Sequence, residues 1–307
     1  MAKYILKRFI QMVISIFVLG TVVFILSRVT GNPVDLLLPP DASPEQRQTM
    51  IAQLGLDKPY HVQYIEFITG AIQGDFGNSV RYGKPAMKLV MERFPNTIKL
   101  AAVAFLFAVL ISIPLGVLAG ANRGKPFDST ARLLAVIGVA APSFWVGVML
   151  IQAFSVKLGW LPSARMGGFT SYILPAFSMC LFMLAGMTRL LRSSMVELLD
   201  TEFVKLARIK GVSRQKVIWK HCLRNALIPV MTFAGMYLGL LLTGGVVVET
   251  VFAWPGMGRL AYDGIVFRDY PLVQAVIITK GVIIILINLL VDIMYAYVDP
   301  RVRSDTR

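Results

Sequence analysis

Six apolar runs, all but one long enough to cross a hydrocarbon layer unaided, limit what this 307-residue chain can fold into. On a window of about 19 residues they cover 9–27, 100–121, 134–154, 173–187, 226–248 and 273–295. The fourth is short, but the helix it predicts continues through Thr188 to Leu191 and can be tilted. Inside a bilayer each peptide N–H and C=O must bond within its own segment, and an α-helix does that. Composition agrees: 56% of residues are hydrophobic and only 16% charged, where a soluble domain carries about 25%. Mean hydropathy is +0.67. Soluble dehydrogenases, nucleases and secreted disulfide scaffolds are excluded. Cys180, in an apolar run, and Cys222, in a basic one, cannot make a disulfide framework.

The formal charge of +14 raises the question of nucleic acid, and its distribution answers it. The amino terminus, 122–133, 188–225 and the tail after 298 hold 18 Lys and Arg in 67 residues. The connections 28–99, 156–171 and 249–272 hold 12 in 112. The denser set belongs in the cytoplasm by the positive-inside rule, which predicts six spans with both termini inside. The basic charge is topology, not a nucleic-acid footprint. Lys7 and Arg8 precede a run with no small-residue cleavage pattern after it, so the first span is retained rather than a signal peptide.

The chain then divides into an N-terminal segment with the first span (1–29), an extracytoplasmic helical loop (30–99), a five-helix core (100–299) and a cytoplasmic tail (300–307). In the outer loop Thr30-Gly-Asn-Pro33 breaks the chain, and Ser43-Pro44-Glu45 predicts a capped helix start. After Lys58-Pro59, Tyr60, Tyr64, Phe67 and Ile68 fall at helical spacing. Gly74-Asp-Phe-Gly-Asn-Ser79 reads as a turn, and 85–94 leads back to the membrane. Such a cap is either a docking surface or gate, or a scaffold for the helix ends. Gly116, Gly120 and Gly124 recur every four residues, as do Gly235 and Gly239, a spacing that lets helices approach closely in lipid.

No constellation for chemistry stands out. Gly120-Ala-Asn-Arg-Gly124-Lys125-Pro126 is one residue short of a phosphate loop and has Pro where a hydroxyl must meet magnesium. His61 and His221 fall on opposite sides of the membrane and cannot share a metal. The expectation is no catalytic, cofactor or metal site in this chain. Within the spans, Asn288 and Asp292 share a face of the last helix, and Lys280 lies toward its outer half. Lys280 and Asp292 are about 18 Å apart by helix rise and cannot pair. Each either lines a pathway or pairs with a neighbouring helix.

The connection 188–225 is the most informative stretch. Residues 202–210 form a short helix with Phe203, Leu206 and Ala207 on one face, ended by Gly211 in a left-handed cap. Ser213 then starts a second helix with Arg214, Lys216, Lys220 and Arg224 on its polar side. Asn225 to Pro229 feeds the fifth span. This is either an amphipathic hairpin on anionic lipid or a lever for a cytoplasmic partner.

Residues 202–229 resemble the cytoplasmic loop of bacterial ATP-binding-cassette importer permeases, with Lys205-Leu206-Ala207 at the first motif positions and Gly211 at its glycine. Arg208-Ile-Lys210-Gly211 and His221-Cys-Leu223-Arg224-Asn225-Ala226-Leu-Ile-Pro229 are similar to the dipeptide/oligopeptide branch. So are Leu54-Gly-Leu-Asp-Lys-Pro59, Gly74 to Ser79, Glu249-Thr-Val-Phe-Ala-Trp-Pro-Gly-Met-Gly-Arg259, Arg268-Asp-Tyr-Pro271 and Asn288 to Asp292.

The resemblance implies an all-α, type I importer permease of the bacterial inner membrane, with a cytoplasmic coupling helix and a helical outer loop. It implies a second homologous permease, two ATPases that bind ATP and Mg, an external solute-binding protein and a short peptide or related small solute as substrate. Contact with the ATPases falls to Glu202, Phe203, Leu206, Ala207, Arg208, Lys210, Gly211 and Arg214. Lys280, Asn288 and Asp292 are the pathway candidates. Glu249, Phe252, Trp254, Pro255 and Arg259 are candidates for an outer gate or binding-protein docking. The alternative is a stand-alone ion-coupled carrier using Lys280 and Asp292.

Overall fold

The computed structural model describes residues 2–29, 34, 38–39, 41–243 and 245–298, with 2–5, 7 and 290–298 as backbone only. Its elements are the helices α1 (Ala2–Val29), α2 (Pro44–Gln53), α3 (Tyr60–Gln73), α4 (Ala86–Ala121), α5 (Pro126–Ala140) and α6 (Ser143–Leu150). They continue as α7 (Thr170–Leu199), α8 (Glu202–Ile209), α9 (Arg214–Leu242), α10 (Val246–Val251), α11 (Met257–Val266) and α12 (Tyr270–Val298). α6 runs on into a π-helical segment, Ile151–Lys157, and α9 contains another, Val217–Cys222. Among the described residues five helices are long and apolar enough to cross a membrane, or six if the bent pair α5 and α6 is one span.

The all-helical expectation holds, with two changes of shape. The run 134–154 is not one straight helix: it bends by 107° where α5 meets α6. Pro142 has no N–H to donate and disfavours helical geometry at the residue before it, and Ala141 sits at φ −74, ψ 123. The run 226–248 is also interrupted, since α9 stops at Leu242 and Val246 opens α10. A hydropathy average cannot see either break.

The chain forms two compact units, one of Met1–Thr97 with Pro255–Arg307 and one of Ile98–Trp254. In the first, a Cβ added to Gly281 of α12 would collide with the Leu19 side chain of α1, so glycine permits that approach. The aromatic face expected of α3 lies on α1. The Tyr64 hydroxyl is 2.6 Å from Thr21 Oγ1, and the Phe24 ring meets those of Tyr64 and Phe67 at 5.2 and 5.6 Å. Tyr60, expected on the same face, is exposed. Ser43 caps α2 in a reciprocal box: its hydroxyl accepts from the Gln46 N–H at 3.2 Å, and Gln46 Oε1 from the Ser43 N–H at 3.0 Å. Leu89 and Val90 of α4, Leu260 of α11 and Leu272 and Val276 of α12 make this unit's core.

In the second unit α4 and α7 touch through glycine. A Cβ at Gly116 or Gly120 would lie 2.8 or 2.5 Å from the Cβ of Leu191 or Met195. Gly124, third in that series, is different: it lies past the end of α4 at φ +77, with open space around it, and is a turn residue. Asp128, in the first turn of α5, is almost wholly buried. It accepts from Arg192 Nε and Nη2 at 2.8 and 2.9 Å and from the Gly124 N–H at 3.0 Å. Bidentate pairing and a backbone donor offset the cost of burying the carboxylate.

Candidate functional site

The connection from α7 to α9 folds as a tight helical corner. Glu202 stands in the first turn of α8 and Arg208 in its last, each at the end of the helix dipole that favours its charge. α8 is amphipathic, and its two faces are both apolar in part. Val204 is fully buried and Ala207 half-buried, both against the core of the unit. Phe203, Leu206 and Ile209 project outward, 41%, 52% and 82% exposed.

This corrects the expected face. At 3.6 residues per turn Ala207 falls between Phe203 and Val204 on the helix wheel, so it turns inward with Val204. Ile209 takes its place among the projecting apolar residues. Exposed Glu202 and Lys205 pair at 2.7 Å, a contact of small worth in water. Arg208 and Lys210 are exposed.

The helix ends as the glycine required. Gly211 has φ +80, its N–H donates to Arg208 O at 3.0 Å, and the Val212 N–H donates to Ala207 O at 3.1 Å. That pair of bonds is a Schellman turn. Ser213 has the extended backbone of a helix cap, but its side chain makes no capping bond, contrary to expectation. Val217, Ile218 and Cys222 anchor the start of α9 in the core.

Three long-range ties fix the corner to other helix ends. Arg214 Nη2 donates to Ala121 O at 3.1 Å, Arg123 pairs with Asp200 at 3.4 Å, and Arg192 holds Asp128. The segments on either side of α8 are thus tied to the ends of α4 and α5, while α8 itself is held by Val204 and Ala207 against the core and presents an apolar tip.

The outer motif is mostly interior. Glu249, Phe252 and Trp254 are buried in the second unit. The Trp254 N–H donates to Glu249 O at 2.7 Å, the Arg165 N–H to Phe252 O at 3.0 Å, and the Trp254 ring meets Tyr172 edge-on at 4.6 Å. As docking residues these three side chains are closed to a partner. In the first unit Asn96 Nδ2 donates to Pro255 O at 3.0 Å and the Met257 N–H to Thr97 Oγ1 at 2.8 Å. Arg259 is half-buried and lines a cavity of about 270 Å³ with Arg81, Tyr82, Arg93 and Asp263. Burial and the Asp263 carboxylate, which accepts from the Tyr82 hydroxyl at 3.1 Å, push the Tyr82 phenol above its ordinary value.

Asp269, in the motif Arg268 to Pro271, has a structural role that its local sequence does not show. It is fully buried and accepts from Ser79 Oγ, from the Arg81 N–H at 3.1 Å and from the Leu272 N–H at 3.3 Å. It caps α12 and ties the Gly74 to Ser79 turn to the Arg268 to Pro271 segment. Lys280 is half-buried in α12 and is not a free ammonium, Asn288 is exposed, and the side chain of Asp292 lies outside the described residues.

Known proteins agree on the class. A family model described as binding-protein-dependent transport system inner membrane component matches residues 112–304, and one for the N-terminal part of such components matches residues 1–101. The chain is 40% identical over 304 residues to the glutathione transport system permease protein GsiC of Salmonella choleraesuis, covering 99% of each. It is 39% identical, with the same coverage, to GsiC of Escherichia coli K12. The inward-facing MetNI methionine ABC transporter matches with a TM-score of 0.54 at 20% identity, over 69% of this chain and 97% of that one. That last likeness is one of fold.

Proposed function

Since the chain belongs to the family of binding-protein-dependent transport system inner-membrane components, and is thus a multi-pass permease subunit of an ABC importer, we propose that α8 is its coupling helix. The ion-coupled carrier falls away with that family. The observation that carries the proposal is the exposed apolar tip of Phe203, Leu206 and Ile209 on a helix whose other face, at Val204 and Ala207, packs into the core. Tight apolar contacts of this size dominate protein interfaces, and a groove on an ATPase is the surface it fits. ATP and Mg then bind the two ATPases, while this chain and a second permease form the path. Closing of the ATPase pair moves α8, and the permeases pass between outward- and inward-facing states because the ATPases contact the two states differently.

The substrate on this reading is a short peptide such as glutathione, supported by the GsiC relatives and delivered by an external binding protein. Lys280, Asn288 and Asp292 are the pathway residues, with Glu249, Phe252 and Trp254 as an internal brace of the outer gate. Pro255 and Arg259 belong to its rim.

Leu206→Asp and Ile209→Asp test the tip. Each puts a charge into the socket and is expected to leave a membrane-inserted permease that loses its ATPases on purification, or keeps them without stimulation by loaded binding protein. Normal transport with full ATPase stoichiometry in both variants would remove α8 from the coupling role.

A further inference from the structure

A cavity of about 410 Å³ lies in the second unit between α5 and α7. Its two ends differ in chemistry. One is lined by Arg132, Arg189 and Arg192 with the hydroxyl residues Thr188 and Ser193. The other is lined by Ala135, Val136, Val139 and Ala140. On α5 the polar end is Arg132 and the apolar end Ala140, eight residues or about 12 Å further along the helix.

The charges do not balance. Asp128 is the carboxylate beside these guanidiniums: it holds Arg192 in two hydrogen bonds and stands 3.7 Å from Arg132. Arg189 is exposed at the rim. The site therefore offers surplus positive charge where the apolar stretch of α5 begins, the depth at which lipid headgroups lie. A free anion has no use for the apolar half, and an apolar segment has none for the arginines. An amphiphile with an anionic head uses both.

We propose that this cavity binds one anionic phospholipid, its phosphate at Arg132 and Arg189 and an acyl chain along Ala135, Val136 and Val139. The inference rests on the membrane location of the chain and not on the coupling role of α8.

The assembled transporter, purified in mild detergent, is titrated by native mass spectrometry with phosphatidylglycerol, with phosphatidylethanolamine and with inorganic phosphate. The wild type is expected to hold one phosphatidylglycerol in preference to phosphatidylethanolamine, and millimolar phosphate is expected not to displace it. Arg132→Gln with Arg189→Gln removes the two exposed cations, leaving Arg192 to neutralise Asp128, and is expected to weaken that event about thirtyfold. Val139→Trp fills the apolar half from an exposed position and is expected to weaken it while leaving the arginines in place.

Undiminished phosphatidylglycerol binding in both variants overturns the site. Displacement by inorganic phosphate, with no effect of Val139→Trp, reduces it to an anion site. Disulfide capture of Val136→Cys by a cysteine on the second permease makes the groove a subunit interface and also overturns the proposal.

Discussion

Gly211 shows how much one backbone angle decides. Its φ is +80, yet a Cβ there would meet nothing within 4 Å, so the constraint is conformational and not steric. A substitution is therefore graded by tolerance of the left-handed region, not by size. Gly211→Ala should cost about 1–2 kcal/mol, and Gly211→Asn clearly less, because Asn visits that region readily. Stimulated ATP hydrolysis by the assembled transporter should fall in the order Gly, Asn, Ala; equal rates for Asn and Ala would break the argument. Arg192 is the opposite case, since its value is in contact. Arg192→Gln strands a buried Asp128, with Arg132 left at 3.7 Å as partial compensation. Loss near the lower end of about 3–5 kcal/mol is expected, read as a fall in thermal stability of the detergent-solubilised transporter. Arg192→Lys should recover only part of it, because an ammonium cannot reproduce the two-pronged bond.

At the scale of elements, the sequence was readable wherever a boundary is written locally. Ser43 before Pro44, and Gly211 after a short amphipathic run, each announce a helix end through hydrogen bonds made within a few residues. Direction was not readable. The apolar run 134–154 is uniform in hydropathy, but Pro142 turns it by 107°, and the run 226–248 hides the end of α9 at Leu242. Facing was readable only to within one residue. Assigning Ala207 to the tip rather than Ile209 follows from an eight-residue helix whose two sides are both apolar, so that the pattern alone does not say which is inside. Long-range caps were invisible. Asp269 lies 190 residues from Ser79, and no local pattern distinguishes its carboxylate from an exposed one.

For the whole molecule, the Lys and Arg asymmetry predicts 122–133 and 188–225 in the cytoplasm, and burial decides which positions can test that. Trp254 and Cys222 are buried, so neither position would report its side by labelling. His61, Phe169 and Tyr262 are exposed on the outer side of this arrangement, and Ile209 on the inner. Single cysteines at the first three should react with an impermeant maleimide in intact cells, and one at 209 only after permeabilisation. The reverse pattern would invert the topology. Finally, the tip of α8 bears on the life of the protein before assembly. Three large apolar side chains on a surface that water reaches are what chaperones and membrane proteases recognise in unfinished proteins. On the proposed role of α8, a permease made in excess of its ATPases would carry its own mark for removal, and burial of that mark in the complex would couple the subunit's survival to correct stoichiometry.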